Sequence, residues 1–63
     1  MILCFNKSAS FLVKNGFFVV YYNYNFYFFK KEPKKWLELI LSGKSKTIPL
    51  DFIEYLKDRN LIV

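Results

Sequence analysis

Phe11-Leu12-Val13-Lys14-Asn15-Gly16-Phe17-Phe18-Val19-Val20-Tyr21-Tyr22 is the stretch on which the fold turns. Two runs of aromatic and β-branched residues suit a pleated, half-buried surface. Asn15-Gly16 separates them. Asn-Gly tolerates positive φ at both central positions, as a type I′ hairpin turn requires. A two-residue loop here sets Lys14 opposite Phe17 and Leu12 opposite Val19. A second reversal is expected at Asn23-Tyr24-Asn25, because Asn accepts left-handed φ. It leads into Phe26-Tyr27-Phe28-Phe29. Upstream, Ile2 to Phe5 reads as a possible fourth strand, joined through Lys7-Ser8-Ala9-Ser10.

Nine of the thirteen residues from Phe17 to Phe29 are aromatic. One sheet face must pack inward, and the other cannot be wholly polar.

Downstream the periodicity changes. Pro33 fits a first helical turn, where its missing N–H costs nothing. Trp36, Leu37, Ile40 and Leu41 recur at helical spacing, and Ser42-Gly43 ends that helix. Thr47 is expected to cap a second helix, with Pro49 in its first turn and Asp51 near the positive end of its dipole. Phe52, Ile53 and Leu56 form its apolar stripe, and Asn60 is a left-handed stop before Leu61-Ile62-Val63. Trp36, Leu37, Ile40, Phe52, Ile53 and Leu56 are the expected core of this half. Strands about 2–30 followed by helices about 33–41 and 49–59 give an α+β fold. The expected architecture is an N-terminal three- to four-stranded antiparallel meander followed by two (possibly three) helices, winged-helix-like, as one domain over 1–63.

Composition narrows the chemistry. The chain has 63 residues, no His and one Cys. A zinc site, a Ser or Cys nucleophile with an activating imidazole, and a disulfide framework all lack their partners. Cys4 is expected to be a small buried hydrophobe on a strand. Glu32, Glu38, Asp51, Glu54 and Asp58 fall at helix-like polar positions, which are ordinarily solvated faces. There is no Gly-rich phosphate loop. The expectation is therefore a binding domain with no catalytic residue, no metal and no cofactor. A lone Cys fits a reducing compartment, no secretory pattern opens the chain, and Phe17 to Phe29 is too short for a spanning helix. A cytoplasmic protein without a membrane partner is expected.

Net charge is +5, with six lysines from Lys30 to Lys46. Such a basic middle suits acidic partners. Three features admit a binding reading. The aromatic meander can be core, or a platform that stacks bases, although Lys30, Lys31, Lys34 and Lys35 follow the aromatics rather than interleave with them. The lysine cluster can be a solvated helix start or an anion-facing patch that opposes the helix dipole. An edge strand of a small meander exposes unpaired backbone, which invites a peptide strand or self-pairing into a homodimer.

Phe26-Tyr27-Phe28-Phe29, then Trp36-Leu37-Glu38-Leu39-Ile40-Leu41-Ser42-Gly43, then Phe52-Ile53-Glu54-Tyr55-Leu56-Lys57-Asp58-Arg59-Asn60-Leu61-Ile62 resemble the precursor-peptide recognition element of ribosomally made, post-translationally modified peptide pathways. The resemblance covers roughly residues 10–62. It implies a winged-helix-like unit that captures a leader peptide as an extra strand beside its third strand, in a groove against the last helix, and presents it to a modifying enzyme. Carried over, the third strand falls on Phe26 to Lys30 and the last helix on Pro49 to Arg59. The family has three helices; here Lys44 to Ile48 leaves room for at most a turn in place of the middle one. The peptide contacts expected on this basis are Phe26, Tyr27, Phe28, Phe29, Lys30, Lys31, Lys34, Phe52 and Tyr55. Two other classes fit the same sequence: a small basic winged-helix nucleic-acid binder, and a small protein inhibitor or self-associating module.

Overall fold

Ser10–Lys14 (β1), Phe17–Tyr22 (β2) and Asn25–Phe29 (β3) form one antiparallel meander in the order β1-β2-β3. The structure, a computed structural model, describes residues 3–44 and 46–63. Lys14 pairs with Phe17 and Leu12 with Val19, the register that a two-residue loop at Asn15-Gly16 dictates. Two helices follow, Lys31–Leu41 (α1) and Leu50–Asp58 (α2). The α+β order of strands before helices therefore holds, with three strands and two helices.

The turn chemistry is distributed differently from expectation. Gly16 has φ +94° whereas Asn15 stays out of the positive-φ region, the sign pattern of a type II turn. Positive φ at both central positions occurs instead at Asn23 (52°) and Tyr24 (65°), so the type I′ pattern belongs to the β2–β3 hairpin. Asn25 is already the first residue of β3 there, and its side-chain Nδ2 donates to the Asn23 carbonyl at 3.1 Å. Opposite mutational effects follow at the two loops. A Cβ at Gly16 meets no atom within 4 Å, so Gly16→Val loses about 1–2 kcal/mol through backbone strain alone. Tyr24 is 89% exposed and forfeits little on truncation. Tyr24→Gly relieves its left-handed cost but gives the unfolded chain more freedom, for a net gain of up to about 1 kcal/mol. Urea melts check both signs; a Gly16→Val variant as stable as the parent contradicts the turn geometry.

Both helices end in the same motif. Gly43 has φ +74°, its N–H reaches the Ile40 carbonyl at 3.1 Å, and the Lys44 N–H reaches Leu39 at 2.9 Å. Asn60 (φ 60°) repeats this, with its N–H on Lys57 at 3.0 Å and that of Leu61 on Leu56 at 2.9 Å. Each left-handed residue satisfies carbonyls that a helix end would otherwise leave bare. Helix starts were less legible. Thr47 lies in a turn and does not cap α2; Pro49 holds the N-cap position with no side-chain bond. Proline fixes φ there without needing a capping hydroxyl. Lys31 enters α1 at φ 56°, so the helix begins two residues before Pro33. Lys46 and Thr47 form a turn, and neither they nor Lys44 and Ile48 enter a helix, as the short connection required.

The core joins Phe18, Val20 and Phe29 of the sheet to Leu37, Ile40 and Leu56 of the helices. Each such side chain contributes about 1.5–3 kcal/mol by leaving water. Trp36, Phe52 and Ile53, expected inside, are only half-buried against this cluster. Leu3, Leu61 and Ile62 complete it from the two ends of the chain. The Ile2–Phe5 segment does not join the meander within the described residues 3–5: Phe5 bridges Ile62, the Asn6 N–H donates to the Leu61 carbonyl and the Val63 N–H to Cys4, both at 2.9 Å. Extended alternation along this segment turns Leu3 inward and Cys4 outward. Cys4 is exposed rather than buried for that reason.

Candidate peptide-binding edge and cleft

β3 has one neighbour, β2, and its other side is an edge. Tyr22 and Asn25 flank the two-residue loop and form the first hydrogen-bonded pair, and the pattern alternates from there. Asn25, Tyr27 and Phe29 thus turn their N–H and C=O groups towards β2, while those of Phe26 and Phe28, and the N–H of Lys30, face the open edge. Among the described residues no turn or loop backbone bond reaches Phe26, Phe28 or the Lys30 N–H, while the Lys30 carbonyl, at the N-cap, accepts the first bond of α1. Lys30 continues the extended geometry, with φ −125° and ψ 164°.

An apolar cleft lies beside this edge. Its volume is about 540 Å³, and its walls are Phe28, Phe29, Pro33, Trp36, Pro49, Asp51, Phe52 and Tyr55. That size and lining are typical of ligand sites. The aromatic wall is ordered by ring contacts. Phe52 and Tyr55 stand parallel (6°) with centroids 6.1 Å apart. Phe29 meets both edge-on, at 5.8 and 6.2 Å. Trp36 leans on Phe52 at 5.0 Å. The Arg59 guanidinium lies 3.7 Å from the Tyr55 ring centroid and donates to the Tyr55 carbonyl at 3.3 Å. This cation–π contact fixes the outer ring of the wall. Asp51 is the charged residue of the lining, and it sits in the first turn of α2, where the helix dipole favours a carboxylate.

The nine sequence-derived contact residues distribute as follows. Phe28, Phe29, Phe52 and Tyr55 line the cleft. Tyr27 does not; the pleat turns it to the inner face, half-buried against the core. Phe26 is 64% exposed on the outer face, so only its backbone serves the edge. Lys30 and Lys31 are exposed where β3 passes into α1. Lys34 is part-buried and bonds Glu38 at 3.0 Å, a helical i,i+4 pair worth about 0.3–0.5 kcal/mol. Its charge is thereby partly neutralised, leaving Lys30 and Lys31 as the cationic end of the edge.

Pro33, Trp36, Pro49 and Asp51 had not been assigned to the site. Pro33 and Trp36, like Pro49 and Phe52, are three residues apart, so each pair shares a helix face. That spacing was present in the sequence; that the two faces meet over β3 was not.

Compared with models of protein families, with curated proteins and with solved structures, the chain matches none. Among the described residues no helix is long and apolar enough to cross a membrane.

Proposed function

We propose that this protein is a non-catalytic binding domain that captures an extended peptide by strand addition at β3 and presents it to a modifying enzyme. One observation carries the reading: the open edge of β3 runs beside an apolar cleft walled by α1 and α2. Backbone groups of Phe26 and Phe28 and the N–H of Lys30 would supply hydrogen bonds that hold any extended segment. Alternate peptide side chains would supply selectivity by entering the cleft among Phe29, Trp36, Phe52 and Tyr55. A large apolar or aromatic side chain fits that lining. Lys30 and Lys31 favour acidic residues flanking the segment, chiefly through the association rate. Ordering the peptide offsets part of the gain, so affinity falls between micromolar and nanomolar.

The test is amide shift mapping with synthetic peptides tiled across the short reading frames that neighbour the gene. A bound peptide shifts residues 26–31 and 49–59. A proline placed mid-segment removes a ladder donor and abolishes the shifts. Shifts confined to the Asn15-Gly16 hairpin, or indifference to that proline, would overturn strand addition.

A further inference from the structure

The outer face of the sheet is a separate surface. Cross-strand register places Lys14 beside Phe17, Leu12 beside Val19 beside Phe28, and Ser10 beside Tyr21 beside Phe26. Continuing the β2–β3 register by one pair sets Lys30 across from Phe17, since Lys30 is still extended. Phe17, Phe28, Phe26 and Tyr21 form a contiguous strip with successive centroids 6.2, 6.4 and 4.8 Å apart. Phe26 and Phe28 are each 64% exposed, so most of each ring is open to solvent. The helices pack on the opposite face, through Phe18, Val20 and Phe29.

Charge distinguishes the possible occupants. All five carboxylates lie at Glu32 or beyond, on α1 and α2, whereas the chain before Glu32 carries Lys7, Lys14, Lys30 and Lys31. The one charged residue within the strands is Lys14, and with Lys30, just past β3, it flanks one end of the ring strip. A second copy of this face would bring no carboxylate to meet Lys14 and Lys30. An acidic peptide would leave the stacked rings unused. We propose that this outer face binds single-stranded nucleic acid, with bases stacking on Phe26 and Phe28 and phosphates meeting Lys14 and Lys30. Rings on a sheet bordered by cations suit single strands, whose bases are free to stack, and not duplexes, whose bases are already stacked. The site does not rest on the peptide reading: it uses the outward rings of Phe26 and Phe28, whereas the peptide edge uses their backbone, and Lys30 borders both.

Fluorescence anisotropy with a labelled oligo(dT) or oligo(U) of about 12 nucleotides tests it. Two lysine–phosphate contacts predict that log Kd rises with log salt at a slope of about 1.4, from about 0.7 per contact. Phe26→Ala weakens binding roughly 5- to 150-fold, the effect of removing one stacking platform. Lys14→Glu weakens it and flattens the salt slope. Both positions are exposed, and retained amide dispersion confirms that each variant is folded. The same sequence as a duplex binds at least about tenfold more weakly. Equal affinity for duplex, or indifference to both substitutions, would overturn the proposal. So would binding to phosphatidylserine vesicles, or a dimer in sedimentation, that these substitutions abolish while the oligonucleotide does not bind.

Discussion

Phe18→Ala removes about 3–5 kcal/mol of stability and leaves the domain largely unfolded at 25 °C. Phe18 is fully buried near the start of β2, the middle strand, between Val13 and Phe29 of the two flanking strands. Its ring stacks on Phe11 at 5.6 Å and on Phe5 at 5.9 Å, with interplanar angles of 24° and 20°. Truncation therefore opens a cavity and breaks two aromatic pairs, one of them to the N-terminal segment that closes against the C-terminal tail. A chain of this length has about 3–9 kcal/mol in total, so the loss is comparable to the whole. Collapse of amide dispersion and of near-ultraviolet circular dichroism is the expected readout. A variant with a urea midpoint close to the parent would show that Phe18 is not the centre of the core.

Leu56→Ala costs about 2–5 kcal/mol. Leu56 is fully buried on α2, and Leu61, also fully buried, sits three residues past the end of that helix. The Leu61 N–H bonds the Leu56 carbonyl at 2.9 Å, so the two side chains close the end of the helix as an apolar pair. Alanine keeps the backbone bond and removes the packing, which loosens α2 and the tail together. The control is Leu50→Ala on the same helix, where the side chain is 74% exposed; its effect stays within about 0.5 kcal/mol. Equal melts for the two alanine variants would remove Leu56 from the core. Because α2 carries Phe52 and Tyr55, the cleft is lost with it.

Much of this was legible locally. Asn15-Gly16 gave the hairpin and its register, since a two-residue loop leaves one way to pair the flanking residues. Gly43 and Asn60 gave both helix ends, because left-handed φ is affordable at few residue types. The apolar spacing of Leu37, Ile40 and Leu56 gave the helical part of the core. Reversal of the turn types was beyond reach: Asn-Gly is compatible with positive φ at one or at both positions, and nothing in Asn23-Tyr24 advertises an aromatic residue in the left-handed region.

What the sequence by itself determined is the order of elements and their pairing, both consequences of local conformational preference. Tertiary structure decided the rest. From Phe17 to Phe29 both phases of the strand are apolar, so period-two alternation could not say which rings face the helices. Packing of α1 and α2 made that choice, sending Phe18, Val20, Tyr27 and Phe29 inward and leaving Phe17, Tyr21, Phe26 and Phe28 outside. The same packing brought Trp36 against Phe52 to wall the cleft, and strand register set Lys14 and Lys30, distant in sequence, on either side of Phe17. Both candidate surfaces depend on which face of a uniformly apolar sheet is covered, and that is fixed only when the helices dock.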